Sequence, residues 1–202
     1  MMKGLLIKDM YAIMKQTKYF GILAVVMAFM QNDFLVSYVI VYAASLPFTA
    51  LAYDERAKWK RMEEILPLTH AQIIGSKYVM GYITVAASLL VVFCGRLFGA
   101  AVYAKPVRME NVYIILVIAC AALVVQAVNL PLMFWIGVER GRLLFILIVV
   151  GSAFAVVSIW EDMKINSVSP NLPIILAAAM GITAVVNLIS FLVSERLYNY
   201  EK

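Results

Sequence analysis

The chain has 202 residues, of which 64% are hydrophobic and 14% charged, and its mean hydropathy is +0.92. A soluble domain is roughly 45–50% apolar and about 25% charged, so a single aqueous core is excluded and lipid must accept the surplus. The net charge of +5 does not point to nucleic acid, because Lys and Arg gather at the ends of apolar runs and not on one polar face.

The first 18 residues carry Lys3, Lys8, Lys15 and Lys18. Within them Met2, Leu5, Leu6, Met10 and Ile13 recur at helical spacing, with Lys3, Lys8 and Asp9 off that stripe. This pattern predicts an interfacial helix over 1–17 whose lysines reach toward anionic headgroups. The alternative is that these residues are the first turns of the first span. A cleaved signal peptide is set aside, since the charged leader is long and no small-residue cleavage site follows the first apolar run.

Residues 19–52 are apolar except for Gln31-Asn32-Asp33. Lysine-rich flanks stay on the cytoplasmic side, and basic residues stand on both sides of this stretch. Both flanks are inside only if the stretch crosses twice, over 18–31 and 34–52, turning at Gln31-Asn32-Asp33. A span needs roughly 20 apolar residues, and further runs lie at 74–103, 112–137, 143–160 and 173–193. Of the 17 Lys and Arg, 13 then fall inside and four outside. The expectation is an all-α integral membrane protein, a single transmembrane domain over 1–202. It has six transmembrane helices, and both termini are cytoplasmic.

Residues 53–70 connect spans two and three. Asp54 and Lys58 form an i, i+4 pair, and Trp59, Met62 and Leu66 make one apolar stripe, predicting a helix over 54–66 that Pro67 ends. Thr69 and Gln72 have the spacing of a capping box, and Leu68 and Ile73 that of a hydrophobic staple. A helix, a sharp break and a capped helix read either as a contact surface or as an interfacial anchor.

Chemistry is sparse. His70 is the one histidine, too little for a catalytic zinc. Glu63-Glu64 lacks the arginine that an intramembrane CAAX-type protease needs, since Leu68 stands in its place. Gly75-Ser76-Lys77 lacks the rest of a phosphate loop. Cys94 and Cys120 sit in apolar runs as small buried thiols. Arg96 is near the outer end of span three, where it either snorkels or meets a substrate. Gln126, Asn129 and Asn187 either line a polar path or bond neighbouring helices, and Pro131 frees a backbone carbonyl beside the first two. Gly95 and Gly99 permit close helix approach.

Taken together, MKGLLIKDMYAIMKQ, the hairpin of spans and the loop AYDERAKWKRMEEILPLTHAQIIGSKY resemble the short ABC-2 type permease subunits of bacterial ATP-driven exporters. They are similar to the phenol-soluble-modulin exporter permeases. Within the loop, Glu55, Trp59, Leu66-Pro67-Leu68 and Ser76-Lys77-Tyr78 match that pattern, whereas His70 stands where Arg or Lys is usual. The resemblance implies an N-terminal elbow helix and a cytoplasmic coupling helix between spans two and three. Asp54, Glu55, Arg56, Trp59, Lys60, Met62, Glu63, Leu66 and Pro67 would dock a separate ABC ATPase subunit. It implies a second permease subunit, the bacterial cytoplasmic membrane, and ATP and Mg held by the ATPase, with no cofactor on this chain. An amphipathic peptide, toxin or lipid-like compound would be the cargo. The competing expectations are a membrane immunity protein that transports nothing and a membrane-embedded enzyme.

Overall fold

The computed structural model describes residues 2–30, 32–63, 65–67, 69–103, 109–144, 146–148, 150–151 and 171–200, and every regular element among them is an α-helix. In chain order these are α1 (Met2–Phe29), α2 (Asp33–Arg56), α3 (Lys60–Glu63), α4 (His70–Tyr103) and α5 (Met109–Ile136). Then come α6, which starts at 138 and stays helical through the described residues up to 151, and α7 (Leu172–Tyr200). Among the described residues four helices, α2, α4, α5 and α7, are long and apolar enough to cross a membrane, and α1 makes a fifth if its two bent halves count as one span. Of the expected span 143–160, residues from 152 onward lie outside the described ones, as do 104–108 and most of the loop before α7.

The bend in α1 is sharp. Lys3–Met14 and Thr17–Phe29 meet at 75°. Thr17 Oγ1 donates to the Ile13 carbonyl at 2.8 Å, a back-bond that tends to bend helices. The thirteen residues of the second half extend roughly 20 Å at 1.5 Å per residue. That is short of the ~30 Å hydrocarbon core, so α1 reaches spanning length only as a pair. Met30 follows α1 and Asn32 precedes α2. Asn32 is extended (φ −97°, ψ 122°) and its Oδ1 accepts from Phe34 N–H at 2.9 Å, the side chain best suited to an N-cap.

The core runs through α1, α2, α4 and α5, with Ala24, Val36, Ile40, Val85, Val92 and Ala119 buried together. Small residues let the backbones close in. A Cβ built on Gly95 of α4 would sit 2.6 Å from Ala28 Cβ of α1, so glycine is required at that crossing. A second cluster, Phe48, Ile74, Tyr78, Leu130, Met133 and Phe134, closes the end of the bundle where α2 finishes and α4 begins. We call this the loop end, and the α1–α2 turn marks the hairpin end.

Among the described residues two prolines lie in helix interiors, Pro47 in α2 and Pro131 in α5. Each lacks an N–H and so leaves the carbonyl four residues earlier without its helical partner. Those carbonyls belong to Ala43 and Ala127. Thr84 Oγ1 of α4 donates to the Ala43 carbonyl at 2.9 Å, and Ser190 Oγ of α7 donates to the Ala127 carbonyl. In lipid no solvent satisfies a stray carbonyl, so neighbouring helices supply the donor. The proline defects thus become interhelical ties. Thr84→Val keeps the side-chain shape and removes the donor, with an expected loss of about 1–2 kcal/mol in mixed-micelle unfolding. In a Pro47→Ala background the same change should be close to neutral, because alanine at that position restores the N–H. An equal loss in both backgrounds would contradict the tie.

Candidate functional site: a charged junction at the loop end

The segment after α2 does not form the expected helix over 54–66. Asp54, Glu55 and Arg56 complete the last turn of α2, and the chain breaks at Lys58, whose φ is +53°. Trp59 N–H bonds the Asp54 carbonyl at 2.9 Å and Lys58 N–H bonds the Glu55 carbonyl at 3.1 Å. This pair of bonds is the Schellman arrangement, with lysine in the left-handed position that glycine usually takes. A single turn, α3, follows with Lys60 at its head; the side chain of Lys60 is outside the described set. Sequence periodicity missed the break because no Gly or Pro marks it.

The start of α4 also differs in detail. The Thr69 carbonyl accepts from Gln72 N–H at 2.9 Å and Ile73 N–H at 3.2 Å. Gln72 Oε1, however, is buried without a partner, so the reciprocal half of the capping box is not made. Leu68 of the expected staple lies outside the described residues, as does Glu64.

The first half of α1 turns Leu5, Asp9 and Ile13 inward, all three buried. The expectation placed Asp9 off the apolar stripe; the structure puts it at the stripe's centre, 1% exposed. It is not left bare. Lys77 Nζ, on a side chain 2% exposed, donates to both Asp9 oxygens at 2.9 and 2.8 Å and to Asp54 Oδ2 at 2.5 Å. Its three donors are all used. Lys8 donates to Asp54 Oδ1 at 2.6 Å and lies 3.2 Å from Asp9, so it reaches into the protein and not out to headgroups. Two ammoniums and two carboxylates balance, and they join α1, α2 and α4.

Lys8 makes one further contact. Its Nζ stands 4.0 Å above the centre of the Trp59 ring, a cation–π contact that brings the turn after α2 into the same junction. Asp54 therefore pairs with Lys8 and Lys77, where an i, i+4 partner in Lys58 was expected.

Glu55 performs a separate task. Its Oε2 accepts from Val138 N–H at 3.1 Å, at the N-terminus of α6, where a carboxylate is favoured by the helix dipole. The preceding Gly137 has φ +88°, a conformation open to glycine. Glu55 thereby ties the end of α2 to the α5–α6 connection. Between them lies a cleft of about 620 Å³, lined by Glu55, Trp59, Arg61, Glu63, Lys77 and the Met133–Val138 turn, among others.

The remaining predicted residues are largely exposed, Arg61 and Glu63 beside that cleft. Met62 is 58% exposed, Ile65 84% and Leu66 42%, and Arg56, Arg61 and Pro67 are exposed too, with Glu63 partly so. The stripe of Trp59, Met62 and Leu66 read from the sequence therefore divides. Trp59 holds the junction, while Met62 and Leu66 are joined by Ile65 on the surface.

Deeper in the bundle, Arg96 is buried and pairs with Asp33 at the hairpin end. Asn187 accepts from Tyr82 O–H at 2.8 Å and donates to the Thr183 carbonyl at 2.9 Å. Asn129 Nδ2 donates to the Val125 carbonyl at 2.7 Å. Gln126 is fully buried between α5 and Gly81 of α4. Among the described residues no three His, Cys, Asp or Glu side chains gather as a metal site, and both cysteines are free thiols, with Cys94 exposed and not buried as its apolar run suggested.

Apolar helices long enough to cross a bilayer, packed around internal ion pairs, define a multi-pass membrane protein. The family described as ABC-2 family transporter protein matches residues 4–199, nearly the full length, and the chain belongs to that family. Searches of curated proteins and of solved structures find no match. Membership makes the chain an ABC permease subunit, a transport component that works in the membrane with an ABC ATPase.

Breaking a buried ion pair by removing one partner costs about 3–5 kcal/mol, because the other charge stays behind. Lys77→Met should therefore lower stability by about that much in mixed-micelle unfolding. Adding Asp9→Asn should recover a large part of it by removing one orphaned charge. A small loss from Lys77→Met, with no recovery in the double variant, would contradict the junction.

Proposed function

We propose that this chain is the transmembrane subunit of an ATP-driven exporter in a bacterial cytoplasmic membrane, with both termini inside. A second permease subunit, identical or not, would complete the pathway. ATP and Mg would reside on the partner ATPase. The cargo would be amphipathic, of the kind carried by the exporters that the sequence resembles: a peptide, toxin or lipid-like compound. The observation that carries this reading is the division of the 54–67 segment into two sets. Asp54, Glu55 and Trp59 fasten it to α1, α4 and α6, while Met62, Ile65 and Leu66 stand exposed beside Arg61. The exposed set is the coupling surface for the ATPase. The fastened set passes its displacement into the bundle.

The bent first half of α1 is the elbow helix. Its charged residues bind the coupling segment directly, so elbow and segment move as one body when the ATPase closes. The sequence carries no complete phosphate loop, and the ATPase supplies the energy.

Two variants separate the roles. Met62→Asp with Leu66→Asp should abolish co-purification of the ATPase from native membranes in mild detergent. Trp59→Ala with Glu55→Ala should leave the ATPase bound and cut transport-linked stimulation of its hydrolysis at least tenfold. An ATPase absent from the wild-type complex as well, even after cross-linking with ATP trapped, would overturn the exporter reading and favour a membrane immunity protein.

A further inference from the structure

Three polar atoms in the middle of α5 have no hydrogen-bond partner: both side-chain heteroatoms of Gln126, and Oδ1 of Asn129. Both residues are fully buried. Three positions apart on one helix, they share a face. A buried amide without partners costs a few kcal/mol, and in lipid no water offsets it. The other unpartnered buried atoms, among them Trp59 Nε1, Gln72 Oε1 and Arg96 Nε, lie outside α5. One residue away, Ser190 satisfies the Ala127 carbonyl freed by Pro131, and Asn187 and Thr183 are both bonded. The bundle thus completes its proline defects and leaves its central carboxamide open.

Gly81 explains how the group is accommodated. A Cβ built there would fall 1.9 Å from Gln126 Nε2 and 2.3 Å from Oε1, so the carboxamide lies flat on the bare backbone of α4. It is covered, not bonded. The buried charge on α4 one turn from Gly81 is Lys77, and its three donors are all taken by Asp9 and Asp54. The site suits an uncharged partner.

We propose that Gln126 and Asn129 form an intramembrane binding site for an uncharged group that both donates and accepts hydrogen bonds, an amide on an apolar cargo. In this conformation α4 closes the site through Gly81. The site opens when α4 and α5 move apart. The open carboxamide raises the energy of the closed state, and an amide-bearing cargo relieves it in the open one. This rests on the exporter reading, since it gives that pathway its recognition point.

The test uses the intact permease–ATPase complex in lipid nanodiscs. The probe is a photoactivatable long-chain fatty amide, with the matching methyl ester, which accepts but does not donate, as control. The amide should cross-link to α4 and α5 near Gly81 and Gln126, at least fivefold more than the ester. Gln126→Met, equal in length, should reduce that labelling at least fivefold while unfolding at the same or a higher denaturant level than the wild type. Asn129→Leu should weaken labelling in the same direction. Lower stability in Gln126→Met would show that the carboxamide is structural and overturn the site. So would equal labelling by amide and ester, or labelling indifferent to both substitutions. Labelling does not require a coupled ATPase, so its failure in a complex that still binds and drives the ATPase overturns this site and leaves the exporter reading standing.

Discussion

The balanced cluster of Lys8, Asp9, Asp54 and Lys77 is the constraint on which the loop end depends. Four charges at the edge of an apolar bundle are unfavourable singly, and the structure uses every donor of Lys77 on the two carboxylates. The geometry this demands is specific. It fixes the first half of α1 against the end of α2 and the beginning of α4, and the Lys8–Trp59 contact adds the turn that follows. Because the contacts at this end are ionic and largely buried, the segment after α2 is part of a rigid junction and not a loose connection.

A second constraint comes from the solvent. In a bilayer each backbone group needs a partner from the protein, and the structure meets that demand even where Pro47 and Pro131 break the ladder. Hydroxyls on neighbouring helices fill both gaps, so each proline becomes a point of register between helices. Of the buried side-chain atoms without a partner among the described residues, three gather at Gln126 and Asn129 on α5. Unsatisfied buried groups gather at functional sites.

Much of the fold was legible because apolar length is a strong signal. The runs at 34–52, 74–103, 112–137 and 173–193 stand out by hydropathy alone, and the family match extends that reading to a permease. The turn residues Asn32 and Asp33 were visible because they interrupt an apolar stretch. The junction was not visible, for a physical reason. Asp9 sits on the apolar stripe between Leu5 and Ile13, and periodicity counts an acidic residue as outward-facing unless its counter-ion is known. That counter-ion, Lys77, is 68 residues away. The clue available was an aspartate at i+4 from one stripe residue and i−4 from the next. The loop helix was overextended because Lys58 adopts a left-handed backbone that no glycine announces.

The central claim is that elbow and coupling segment move as one body. Paired spin labels at Tyr11→Cys and Met62→Cys, both exposed positions, test it most directly in a background with Cys94 and Cys120 replaced. Their distance distribution would be recorded in the ATPase complex with and without trapped ATP, beside a reference pair at Phe34→Cys and Met62→Cys. The expected result is an unchanged Tyr11–Met62 distance while the Phe34–Met62 distance shifts. A Tyr11–Met62 distance that shifts or broadens on trapping ATP would contradict the claim and detach the elbow from the coupling step.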